Sequence, residues 1–176
     1  MTHPDLLAAR NLIASLGLDM SATVLETQNA EYGASVAEAG RGWVRFRVGK
    51  RTPAKPGLFV TVWQRAEDGS TEPFAVEDGV DLLVITVREE SRAGQFVFPR
   101  SALVEDGIVS VAGHGGKRGF RLYPPWSATR NKQAQKSQRW QSAYFLDLEN
   151  IDRQRARHLY EPILPPFVPS HNGDAR

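Results

Sequence analysis

The chain has 176 residues, 41% hydrophobic and 24% charged, with 15 glycines and 11 prolines, which suits one domain with a sizeable core, is short for two, and disfavours collagen, coiled coil and disorder. It contains no cysteine, which excludes disulfides, thiolate zinc sites and a cysteine nucleophile and leads to the expectation of a reducing, cytoplasmic location. The formal net charge of +2 hides a strong alternation: residues 41–65 hold seven basic and no acidic side chains, 66–92 two and eight, and 93–139 eight and two, so two basic blocks flank an acidic one and each field is felt locally.

The first residues carry Asp5 and Arg10 where the apolar run of a leader would lie, so no signal peptide is expected. No stretch approaches the roughly 20 apolar residues that cross a bilayer. Leu6, Ala9, Ile13 and Leu16 fall at helical spacing, with Pro4 suited to a first turn and Gly17 to a left-handed stop, so the pattern predicts a helix over 4–16. From residue 32 onward short runs rich in Val, Phe and Trp, punctuated by Gly, Pro and Asp, predict strands over 32–38, 43–48, 58–65, 80–88, 95–98, 108–111 and 119–123. Turn chemistry at 38–42 and 67–70 favours antiparallel neighbours. Helices are predicted over 128–140 and 151–160 with a short strand over 143–148 between them. The expected fold class is α+β: a single domain over residues 1–165 with a largely antiparallel twisted sheet of about six to seven strands, flanked by the first helix and two C-terminal ones. Residues 166–176 are expected to form a flexible tail, with Phe167 and Val168 as candidate anchors.

The run Gly42-Trp-Val-Arg-Phe-Arg-Val48 alternates, placing Trp43, Arg45 and Arg47 on one face and Val44, Phe46 and Val48 on the core face. Lys50, Arg51 and Lys55 follow in a loop stiffened by Pro53 and Pro56. Arginine beside an aromatic ring suits phosphate contact and base or sugar stacking, although a polar outer sheet face is the ordinary alternative. A second basic loop, Gly113-His-Gly-Gly-Lys-Arg-Gly119, carries Lys117 and Arg118 and feeds a strand on which Arg121 and Tyr123 share a face, before Pro124, Pro125 and Trp126. It is no Walker loop, since the required first glycine falls on Val111 and Lys117 is followed by arginine. In the polar helix beyond, Lys132, Gln135, Lys136 and Arg139 form one face, which fits either a phosphate backbone or bare solvent.

Catalytic constellations are weaker. His3, His114, His158 and His171 show no metal-ligand spacing, no G-x-S-x-G elbow is present, and no cofactor or bound metal is expected. Glu26, Glu31, Asp78 and Asp81 with Lys50 or Lys55 offer the parts of a magnesium-dependent nuclease, but the stretch Gly94-Gln-Phe-Val-Phe-Pro-Arg100 lacks an acidic residue two positions before a lysine, and turn chemistry explains Asp78 and Asp81.

Asn29-Ala-Glu-Tyr-Gly33, Phe46 to Val60 with Arg-Val-Gly-Lys-Arg-Thr-Pro-Ala-Lys-Pro-Gly-Leu-Phe between them, Trp63, Gly94-Gln-Phe-Val-Phe-Pro99, Gly116-Lys-Arg-Gly-Phe-Arg-Leu-Tyr-Pro-Pro-Trp126 and Trp140-Gln-Ser-Ala-Tyr-Phe145 resemble, in order, the signature of the MepB family. The resemblance implies a compact bacterial intracellular protein and marks Arg47, Lys50, Lys55, Trp63, Lys117, Arg118, Arg121, Trp126 and Gln141 as motif positions. Gly49 and Arg51 depart from the family's more usual Ala and Ile without removing either lysine. The expected function is nucleic-acid binding with low sequence specificity, double-stranded DNA before RNA. Its contacts would come from Trp43, Arg45, Arg47, Lys50, Lys55, Trp63, Lys117, Arg118, Arg121, Tyr123, Trp126, Lys132, Lys136, Arg139 and Gln141. The alternatives are a degenerate or unrecognised metal-dependent nuclease using Glu31, Asp78, Asp81 and Lys50, or a binder of a small anionic or aromatic compound.

Overall fold

The computed structural model describes residues 3–166. Helix α1 (Pro4–Ser15) begins where the His3 imidazole accepts the Asp5 amide hydrogen, and it buries Leu6, Ala9, Leu12 and Ile13. Strands β1 (Val24–Leu25), β2 (Ser35–Ala39) and β3 (Gly42–Val48) follow, then β4 (Lys50–Arg51), β5 (Leu58–Thr61), β6 (Trp63–Arg65), β7 (Thr71–Pro73), β8 (Leu82–Glu89) and β9 (Arg92–Pro99). The rest of the described chain forms α2 (Arg100–Glu105), β10 (Ser110–Val111), β11 (His114–Gly115), β12 (Gly119–Leu122), α3 (Lys132–Ser142), β13 (Phe145–Asp147) and α4 (Arg153–Leu159). Among the described residues no helix is long and apolar enough to cross a membrane.

The main sheet has six strands in the order β1-β2-β3-β8-β9-β13. Its pairings are antiparallel except β3 with β8, which run parallel from Val44 opposite Leu82 to Val48 opposite Thr86. A parallel pair needs a long crossover. Here the chain leaves β3, lays down β4 to β7, and returns as β8, so the crossover is a layer of strands rather than a helix. Strands β12, β5 and β4 make a three-stranded sheet, and β6 with β7 a hairpin.

That layer buries the face of β3 that the alternation assigned to solvent. On one side of the main sheet Val44, Phe46, Leu82, Val84 and Val97 pack with α1 and with Tyr160 and Ile163 near the end of the described chain. On the other, Leu83, Ile85, Phe96 and Phe98 pack with Leu58, Val60, Phe120 and Leu122 of the three-stranded sheet. A sheet covered on both faces has no polar outer face to offer.

Element boundaries differ from expectation for local reasons. The predicted strand over 58–65 divides at Val62, whose amide donates to the Arg118 carbonyl, because β5 pairs with β12 while β6 turns to β7. Helix α3 starts at Lys132, not 128, because the Asn131 side chain accepts the Ala134 amide hydrogen at 2.8 Å; Asp152 likewise caps α4 through the Arg155 amide. Six-residue α2 is too short to show a period, and of 108–111 only the last two residues pair as strand while Ile108 and Val109 plug the core. Phe167 and Val168 lie outside the described residues.

Candidate anion-binding groove

A groove of about 640 Å³ runs between β12, the loop over residues 52–57 and one side of α3; Lys55, Lys117, Arg121, Asn131, Gln133 and Trp140 line it. Sequence and packing fix its walls together. Gln141, 1% exposed, accepts the Tyr123 amide hydrogen on Oε1 and donates through Nε2 to the Arg121 carbonyl, both at 2.8 Å, tying α3 to the end of β12. The Arg121 guanidinium donates to the Pro56 carbonyl at 3.1 Å and to the Thr52 hydroxyl, holding the loop that carries Lys55. Gly57 permits this approach: its φ is +74°, and a Cβ there would sit 2.4 Å from the Leu122 carbonyl oxygen.

The lining contains no carboxylate. Among the described residues no carboxylate oxygen lies within 4.0 Å of Lys55, Lys117, Arg121, Lys132, Lys136 or Arg139. The N-terminus of α3, capped by Asn131, adds the positive end of its backbone dipole to the same space. Nearby, burial foremost and then Glu105 raise the Asp106 carboxyl from its ordinary value, while Lys117 and Lys136 pull it the other way. The groove therefore favours an anion, and Trp140 supplies a partly exposed ring in its wall.

The expected site residues divide. Lys55, Lys117, Arg121, Tyr123 and Gln141 border the groove, although Gln141 spends both amide groups on backbone and Tyr123 is only 9% exposed. Lys132, Lys136 and Arg139 are exposed, but α3 turns Gln133, Ala134, Ser137 and Trp140 toward the groove, which leaves the three cations on the sides of the helix that face away from it. Arg45 and Arg47 correct the expectation of an exposed cationic face: they are 8% and 1% exposed, and they share Glu26 at 3.0 Å and 2.6 Å. The covering layer, with Phe74 under Arg45 at 3.6 Å, removes them from the surface. Arg118 is held by the Thr71 carbonyl at 2.6 Å. Lys50 pairs with Glu31 at 3.3 Å and lies 4.6 Å from the Tyr32 ring centre. Trp43 is exposed at the far end of β3, Trp63 stacks under Arg65 at 5.3 Å, and Trp126 donates its indole hydrogen to Glu89 at 2.6 Å in the wall of a separate cleft of about 310 Å³.

Asn131, Gln133, Ser137 and Trp140 were not expected in the groove. Asn131 carried a signal, an N-cap residue just ahead of a polar helix, whereas Trp140 packs on Phe98 at 5.1 Å between ring centres and still leaves part of its ring free. Gln141→Leu should cost about 2–3 kcal/mol by stranding two buried backbone groups; urea unfolding measures it.

The carboxylates of a nuclease site are not brought together. Asp81 accepts the Trp43 amide hydrogen at 2.8 Å and pairs with Arg100 at 3.3 Å, at the start of β3. Lys50 lies beyond the other end of that strand, roughly 20 Å of extended chain away, paired with Glu31. Asp78 caps the Ala75 amide at 2.5 Å. Among the described residues no group of three His, Asp or Glu side chains is placed to hold a metal ion.

A family model described as MepB-like matches residues 26–147. Among solved structures, the crystal structure of MepB is similar over 84% of this chain and 99% of that one, with 33% identity and a TM-score of 0.73. A bacterial homing endonuclease structure aligns over 76% and 84% of the two chains at 13% identity and a TM-score of 0.47. No curated protein matches the chain.

Proposed function

This chain belongs to the MepB-like family, whose matched segment contains every residue lining the groove, and we propose that the groove binds the phosphate backbone of nucleic acid, with double-stranded DNA as the first ligand to test. The observation that carries this reading is the carboxylate-free groove in which Lys55, Lys117 and Arg121 converge beside the α3 N-terminus. Guanidinium and ammonium groups aligned in this way hold phosphates and fix position without reading sequence. The cysteine-free composition fits a cytoplasmic setting for such a protein.

Anisotropy of a labelled duplex titrated at two salt concentrations tests the reading. If Lys55, Lys117 and Arg121 each meet one phosphate, log K should fall against log salt with a slope of about −3, with little difference between sequences. No binding at low salt overturns it. A second reading, a small anionic ligand, draws on the groove volume, which lies within the range of about 300–1,000 Å³ typical of ligand pockets; competition by mononucleotides rather than by DNA would favour it.

A further inference from the structure

We propose that a second cleft, independent of the groove, binds one phosphate-sized oxyanion. It lies between the segment around Glu26 and Asn29 and strand β6, has a volume of about 160 Å³, and is lined by Arg45, Arg47 and Arg65 together with Glu26, Trp63 and Phe74.

Charge is the first argument. Glu26 is the single carboxylate in this lining, with one oxygen 3.0 Å from Arg45 and the other 2.6 Å from Arg47, so three guanidiniums face one negative charge. Two of them are almost wholly buried, where an uncompensated charge is costly. The surplus of two positive charges matches a divalent anion better than a carboxylate.

Hydrogen bonding is the second. Arg47 donates through Nε to the Thr61 carbonyl and through Nη1 to Glu26 and the Phe46 carbonyl, while its buried Nη2 has no partner among the described residues. A buried guanidinium nitrogen left unpaired calls for an explanation, and because Arg47 is part of the cleft lining an oxyanion held there supplies one. The cleft is also far smaller than the roughly 300 Å³ at which drug-sized ligand pockets begin, so it fits the phosphate group and not a whole nucleoside.

Calorimetric titration of the full chain with sodium phosphate at constant ionic strength tests the proposal, with deoxythymidine monophosphate as a parallel arm. One-to-one phosphate binding is expected in a Lys55→Ala, Lys117→Ala background, where the groove no longer competes for the anion, and adding Arg65→Ala, which removes an exposed charge-assisted donor, should weaken it about tenfold or more. Binding of phosphate alone assigns the cleft to the free ion; binding of both compounds assigns it to a phosphate group carried by a larger molecule. Absence of phosphate binding at millimolar concentrations in that background overturns the proposal, as does binding there that Arg65→Ala leaves unchanged.

Discussion

Glu26→Ala should lower the unfolding free energy by about 3–5 kcal/mol. Glu26 is bonded to two guanidiniums, and the side-chain exposures of Arg45 and Arg47 are 10% and 0%. Burial pulls the Arg47 guanidinium below its ordinary pKa, and the charge of Glu26 and the hydrogen bond to it hold it up. Removing the carboxylate leaves both charges in the layer between the sheets with only carbonyl acceptors and the Phe74 ring as partners. Urea unfolding measures the loss. Combining Glu26→Ala with Arg47→Met should cost less than the two single changes added, because the second removes a charge that the first stranded. A loss below about 1 kcal/mol would place the pair in the solvated class and would remove the charge argument for the oxyanion cleft.

Lys55→Ala combined with Lys117→Ala should weaken duplex binding about a hundredfold at low salt, from two charge-assisted phosphate contacts, while stability changes by no more than about 0.5 kcal/mol. Both lysines are exposed and make no ion pair among the described residues, so binding and folding separate cleanly. Arg121 is unsuited to that test because it also anchors the 52–57 loop. Lys50→Ala should leave binding nearly unchanged, since its ammonium is already engaged by Glu31 and the Tyr32 ring. A loss from Lys50→Ala about half as large in free energy as that from the Lys55 and Lys117 pair would show that affinity follows net charge and not the groove.

The outer side of α3 and the groove should also separate. Lys136→Ala and Arg139→Ala act on exposed cations that α3 turns away from the lining. Each should weaken binding only a few-fold, and the slope against log salt should flatten by about 0.9 for every phosphate that is no longer neutralised.

Helical spacing in 4–16, period-two alternation in 42–48 and the glycine-rich turns were sufficient for the first helix, the hydrophobic face of β3 and the α+β class, because each depends on residues within a few positions of one another. The two basic loops were legible for the same reason, as were Lys55, Lys117 and Arg121 as candidate phosphate contacts. The fate of Arg45 and Arg47 was not. Alternation says that they share a face; only the return of the chain through β4 to β7, made necessary by the parallel pairing of β3 with β8, says that this face is covered. Tertiary structure likewise separated Asp81 from Lys50, engaged Lys50 with Glu31, and turned Trp140 into a groove wall beside a lysine more than 80 residues earlier in the chain. Local pattern determined which side chains carry charge and which seek the core, since those preferences belong to each residue and its neighbours. Contact across the fold decided which charges remain free to meet a ligand, since burial and ion pairing depend on partners that no local spacing specifies.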